Sequence, residues 1–351
     1  VEEVREIAPR ILKDSPITAL QYGVTEGYSP LRERVAAYMK KKHNIGRDFD
    51  NLIITSGAQQ VMDLATKSLC NFGDVVISET PSFIGSLNCF RSYGVTLRGV
   101  PVEDDGMNME VLEQKLRDNK NVRFIYTIPN FQNPSGVTMS LEKRKQLYAL
   151  AKQYGVLILE DNPYGDLRVA GEPVPSIKSM DEDGIVIYAG SFSKIFAPGV
   201  RVAFTVAPAE IVAKMTVGKQ AADVHTPVFT QMLVDEWMKT TDFEGHIEKI
   251  RDIYRRKLNL MCDLIDEQLG DFVRYVRPEG GMFVWCELPE RVDMMDFCKR
   301  AVEKKVAVVP GSAFIVEPDE VVNSIRLNFT TPSDERIVEG MHILGELSHA
   351  L

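Results

Sequence analysis

Apolar positions along the chain follow two alternating rhythms. Short apolar stretches at Leu52–Ile54, Val75–Ile77, Val122–Ile128, Val156–Leu159, Ile185–Tyr188 and Val202–Val206 have the length of buried strands. Between them, apolar residues recur at helical spacing: Leu31, Val35 and Met39; Met62, Leu64, Ala65 and Leu69; Leu147, Leu150, Ala151 and Tyr154. Local signals mark the ends of these helices. Ser29 is placed to cap the first, with Pro30 in its first turn. Ser140 is placed to cap the third, and Gly155 stops it. Pro81-Ser82-Phe83 opens a further helical stretch. Strands alternating with helices predict an α/β fold, a mostly parallel sheet with helices on both faces.

Beyond about residue 235 the pattern changes. A long helical segment, Glu244–Leu269, leads to strand-like pieces at Tyr275–Leu288 and Val306–Val309. In the strand at Ser324–Phe329, Ile325, Leu327 and Phe329 face one way and Arg326 the other. This predicts a large domain over residues 42–235 and a smaller α+β domain over 236–351, to which residues 1–41, beginning with a helical arm, would return. No internal repeat interrupts the scheme.

Composition narrows the function classes. A formal charge of −9 and the lack of any basic run argue against nucleic-acid binding and against an acidic membrane surface. No apolar segment approaches the roughly 20 residues needed to span a bilayer. Five scattered cysteines without CxxC spacing read as reduced thiols of a cytoplasmic protein, and neither they nor the five histidines suggest a metal. The chain starts at Val1 rather than Met, which predicts that a natural segment precedes it.

The stretch Ala189–Arg201 (AGSFSKIFAPGVR) concentrates the candidate chemistry. Ser191, Ser193 and Lys194 follow the apolar run at Ile185–Tyr188, and Arg201 comes seven residues after the lysine. A lysine in apolar surroundings with no carboxylate beside it suits an amine of depressed pKa that bonds covalently to a carbonyl. The same residues also suit a solvated surface loop. In open α/β sheets ligands bind beyond the carboxyl ends of the strands, where Asn133, Asp161 and Lys194 all fall. Ser56-Gly57-Ala58-Gln59-Gln60, between a strand and a helix, has the layout that turns backbone N–H groups toward an anion.

Taken in order, Asn133, Asp161, Tyr164, Ser191, Ser193, Lys194, Arg201 and Arg326 resemble the signature of the fold-type I, pyridoxal 5′-phosphate-dependent aminotransferases of class I/II. Leu20-Gln21-Tyr22, Thr25–Tyr28, Arg277–Trp285 and Pro310–Phe314 are most similar to the 2-aminoadipate aminotransferase subgroup. The resemblance covers nearly the whole chain and implies a large domain with a mostly parallel seven-stranded sheet. It implies that Lys194 holds the cofactor and moves the proton, that Asp161 pairs with the pyridine nitrogen, and that Tyr164 and Asn133 bond the phenolic oxygen. Phe83 would stack on the ring. Ser191, Ser193, Arg201 and the backbone N–H groups of Ala58 and Gln59 would hold the phosphate, with Tyr22 reaching it from the other subunit of a homodimer. Arg326, with Asn133, would bind the substrate carboxylate. The implied reaction is ping-pong transfer of an amino group from an L-amino acid to a 2-oxo acid such as 2-oxoglutarate.

Two positions depart from the family pattern: Ala58 replaces a Ser or Thr, and Phe83 replaces the commoner Tyr. The same residues would also serve a lyase or decarboxylase on this scaffold. They would equally suit the effector-sensing domain of a GntR/MocR-type transcription regulator, although residues 1–40 carry no resemblance to a DNA-binding module. The choice of amino donor is not legible.

Overall fold

The computed structural model describes residues 2–350, so that Val1 at the start of the expected helical arm and Leu351 lie outside the described residues. The large sheet contains β1 (Asp50–Thr55), β2 (Val75–Thr80), β3 (Thr96–Glu103), β4 (Gly106–Met107), β5 (Val122–Thr127), β6 (Leu157–Asn162), β7 (Val186–Ser191) and β8 (Ala203–Pro208). Their order is β1-β8-β7-β6-β5-β2-β3-β4. Neighbours from β7 through to β3 pair in parallel, whereas β8 runs antiparallel to both β7 and β1. Seven strands were expected; the eighth is β4, two residues pairing antiparallel with the end of β3. The chain leaves β2 for β3 on one side and returns to β5 on the other. The carboxyl ends of β2 and β5 therefore flank the topological switch point, where open α/β sheets form their crevice.

The local signals are realised with one correction. Ser140 accepts the amide of Lys143, and Gly155 ends that helix in the left-handed region at φ 66°. Ser29, expected as a cap, is instead the first residue of helix Ser29–His43, whose cap position is Tyr28 without a side-chain bond. Pro30 in the first turn supplies the start, since its missing N–H would have no partner there.

The second sheet is small and antiparallel, with β9 (Phe283–Glu287), β10 (Val309–Pro310) and β11 (Ser324–Asn328) in the order β10-β11-β9. The strand-like stretch from Tyr275 shortens to β9 because Pro278 and Gly281, the latter at φ 75°, interrupt it. Val284, Ile325 and Leu327 form one core with helices Phe243–Gln268, Met294–Glu303 and Asp334–His349. The N-terminal helices pack elsewhere. Ile7, Ile11, Leu31, Val35 and Met39 share a core with Ile53, Leu64 and Trp237 of the large-sheet region. Among the described residues no helix is long and apolar enough to cross a membrane.

Candidate active site

At the end of β6, Glu160 and Asp161 are adjacent buried carboxylates, which strand alternation directs to opposite faces. Oδ2 of Asp161 accepts the hydroxyl of Tyr126 from β5 at 2.8 Å, and that hydroxyl accepts from Ser86 at 2.9 Å. Oδ1 is buried with no hydrogen-bond partner. Burial pushes this carboxyl up to about 7, against the opposing effect of the tyrosine bond. A buried acceptor without a donor is costly and marks a place where a donor is expected to come.

Lys194 lies three residues beyond β7 and is half-buried. Among the described residues no carboxylate pairs with it; burial first, then the charges of Arg201 and Arg326, hold its amine below the usual lysine range. A lowered pKa raises the share of the neutral amine, the form that is both nucleophile and base. Arg201 occupies the left-handed region at φ 52°, and its guanidinium reaches Pro198 O at 3.1 Å and Ser56 O at 3.5 Å. It passes so close to Gly57 that a Cβ there would collide with it, and Gly57 itself has φ 82°. The positive φ is what demands glycine at that position, since the arginine's end could shift aside. Helix Ala58–Leu69 therefore begins without a side-chain cap, its first amides facing the arginine's neighbourhood. Ser191 Oγ accepts the amide of Ser193 at 3.1 Å, folding this loop back on itself.

Arg326 projects from β11. Its Nη1 donates to Asn133 Oδ1 at 2.8 Å, and its guanidinium carbon lies 4.0 Å from the Phe283 ring centroid and 4.9 Å from that of Phe314. Its Nε is buried without a partner. Asn133 also approaches the Tyr164 hydroxyl at 3.5 Å. Burial raises the Tyr164 phenol above its ordinary value, reinforced by Asp161 and opposed by Arg326, so Asp161, Tyr164, Asn133 and Arg326 form one electrostatic group. Phe83 takes the cap position of helix Ile84–Ser92, just after β2. Gln59, the second residue of its own helix, donates to Gly85 O at 2.9 Å.

Tyr22 stands apart from these residues within its own chain. It is 80% exposed and meets only the edge of His225 as a ring partner, near exposed Ile17, Leu20 and Val24. Among the described residues no cluster of histidine, cysteine or acidic side chains could hold a metal.

Several supporting residues were not read from the sequence. Tyr126 holds Asp161. Glu79, wholly buried and pushed up to about 7 by burial, accepts Thr127 Oγ1 at 2.7 Å, the Ile128 amide at 3.0 Å and Gln132 Nε2 at 3.3 Å. It thereby anchors the loop that carries Asn133. Arg144, also buried, braces the same loop through Pro129 O, Asn130 Oδ1 and Met139 O. The available signal was a polar group inside an otherwise apolar strand or helix stripe, which must find a partner.

The chain matches the family described as "Aminotransferase class I and II" over residues 1–344. It is 42% identical over 350 residues to aromatic-amino-acid aminotransferase 1 of Thermococcus litoralis, covering 99% of this chain and 84% of that protein. It is 40% identical over 347 residues to 2-aminoadipate transaminase of Thermus thermophilus, covering 98% and 85%. The crystal structure of Pyrococcus horikoshii kynurenine aminotransferase, solved with PMP, KYN and KYA, superimposes with a TM-score of 0.96 at 40% identity, covering 99% of this chain and 87% of that one.

Proposed function

The chain belongs to the class I and II aminotransferases, and on that premise we propose how its residues divide the work of moving an amino group between an L-amino acid and a 2-oxo acid. The enzyme is an amino-acid aminotransferase, and its cofactor is pyridoxal 5′-phosphate. The carrying observation is the unpartnered Oδ1 of Asp161, buried and able only to accept once ionised. A protonated ring nitrogen is the donor it fits. The uncapped helix start at Ala58 and Gln59, with Arg201, Ser191 and Ser193, makes a donor set suited to a phosphate dianion.

When bound, pyridoxal phosphate supplies an electrophilic carbon for the amino group and a sink for the electrons released at Cα. Lys194 would hold it covalently, and its amine, its pKa lowered, would serve as the base and acid for the proton at Cα. Asp161 would pair with the ring nitrogen, with Tyr126 keeping Asp161 aimed. Tyr164 and Asn133 would bond the phenolic oxygen, and Phe83 would cover a ring face. Arg326, flattened between Phe283 and Phe314, grips the substrate carboxylate together with Asn133. With the carboxylate and cofactor both fixed by these residues, the Cα–H bond would be the one presented for cleavage.

The proposed acceptor is 2-oxoglutarate. The proposed assembly is a homodimer in which Tyr22 of one copy completes the phosphate site of the other; its exposure beside Ile17, Leu20 and Val24 supports this. A cytoplasmic location fits the five unpaired thiols. We further propose that the enzyme divides into a large cofactor-binding part and a smaller part carrying Arg326. The test is spectroscopic. The long-wavelength absorbance of the holoenzyme should fall when an amino donor is added and recover with 2-oxoglutarate. A spectrum that changes and never recovers would replace this reading with that of a lyase.

A further inference from the structure

Beneath the Ser56–Gln60 turn lies a buried polar cluster with no place in the chemistry described so far. Helix Ala209–Ala222 turns Val212 and Met215 into the core and, on the same stripe, Lys219, which is wholly buried. The Lys219 amine donates to Gln60 Oε1 at 2.7 Å, to both Asp223 oxygens at 2.9 Å and to Thr226 Oγ1 at 3.0 Å. Asp223 in turn accepts Ser56 Oγ at 2.6 Å and Gln60 Nε2 at 2.8 Å. Gln60 Oε1 also accepts the Ser56 amide at 2.8 Å, and Ser56 Oγ lies 3.0 Å from Thr226 Oγ1. The Ser56 and Gln60 side chains thus point inward, away from Arg201, which touches the turn through Ser56 O, while Gln59 turns outward and spends its Nε2 on Gly85 O.

That arrangement has a chemical consequence. Gly57 and Ala58 offer no hydroxyl, and Ser56 has committed its own to Asp223. The turn can therefore meet an anion only through backbone N–H groups, whose directions depend on how rigidly the turn is held. We propose that Lys219 and Asp223, acting through Gln60 and Ser56, form a positioning latch that sets those amides for the cofactor phosphate. This rests on the phosphate site proposed above. The buried lysine is what makes the latch stiff: one ammonium with its donors met by three side chains ties helix Ala209–Ala222 and the residues after it to the start of helix Ala58–Leu69. A neutral cluster with fewer partners would let the turn relax.

Lys219→Met leaves Asp223 short of its cation, so the milder Gln60→Ala provides the second variant. It keeps the Lys219–Asp223 pair and the Ser56 bond to Asp223 and removes the bonds that Gln60 makes to the lysine, to Asp223 and to the Ser56 amide. Full-length parent and variants are freed of cofactor and titrated with pyridoxal 5′-phosphate and with pyridoxal, which lacks the phosphate, following absorbance. Circular dichroism confirms that each variant is folded. The parent should bind the phosphorylated form far more tightly. Both variants should lose about 10- to 100-fold of that preference, the range for hydrogen bonds to a charged group, while pyridoxal affinity stays unchanged. If the parent discriminates and both variants keep its ratio, or if both ligands weaken equally, the latch is refuted. If only Lys219→Met loses the ratio, the lysine acts through its charge and the positioning role is refuted. A parent that does not distinguish the two ligands overturns the phosphate site itself, and the latch with it.

Discussion

The two faces of β6 show how one strand can carry a finished structure and a working site side by side. Glu160 faces a closed region: its oxygens accept the Ile177 amide at 3.0 Å and the Lys178 amide at 2.7 Å. Lys178, buried there, meets Asp50 at 2.7 Å and Asp181 at 2.9 Å, and Asp181 also takes the amides of Ile185 and Val186. Asp161, one residue on, faces the other way, with one oxygen held by Tyr126 and the other unpartnered. Among the described residues Lys194 has no carboxylate, and Arg326 keeps a buried nitrogen unused. The two carboxylates are alike in burial. The difference lies in completion: one face satisfies its own polar groups, and the other holds them ready for a ligand.

Exchanging the lysines breaks the comparison most sharply. Lys194→Ala should lower transaminase activity about 10⁴-fold or more while leaving thermal unfolding nearly unchanged. Lys178→Met strands Asp50 and Asp181 and should cost about 3–5 kcal/mol in denaturant unfolding, with cofactor absorbance intact in whatever folds. Equal losses of stability in the two variants would erase the distinction.

The carboxylates offer a finer contrast. Asp161→Asn should reduce kcat about 10²–10³-fold, on the scale of losing one well-placed electrostatic contact, without lowering stability. Glu160→Gln turns an amide group toward a backbone N–H and should cost about 1–3 kcal/mol while sparing turnover per folded molecule. The pH dependence has a definite sign. The Asp161 carboxyl is raised by burial to about 7 in the folded chain, so between its ordinary value and 7 the folded state binds the extra proton. Stability of the cofactor-free protein should therefore fall as pH rises through that window, and Asp161→Asn should flatten the fall. Melting temperatures of both proteins across the window decide the matter. A smaller effect is expected at Arg326: Lys in its place should raise KM for the amino donor about 10- to 100-fold, with the resting spectrum unchanged.

How much of this was legible in the sequence depended on how far each residue's meaning is local. Short apolar runs gave the strands from β1 to β8 except β3 and β4, and the residues after their carboxyl ends included Asp161 and Lys194. β3 was missed because Gly99 and Pro101 break its apolar run, and it survives by pairing with β2. Ser56 read naturally as a residue of the anion turn, yet its hydroxyl faces Asp223, 167 positions away. Glu79 and Gln132, or Arg326 and Asn133, likewise meet only after the sheets assemble. The helical arm at the N-terminus was visible as a helix, but which core it joins depends on the surface of helix Val228–Thr240, not on its own pattern.

The bond from Arg326 to Asn133 joins β11 of the small sheet to a loop of the large one, two regions with separate apolar interiors. In the proposed division of labour, grip on the carboxylate and grip on the ring would thereby be inherited from different stretches of polypeptide. A chimaera taking its last third from a relative would have to match a whole seam, Asn133 for Arg326, Thr80 for Glu320 and Lys115 for Glu317 among its stitches.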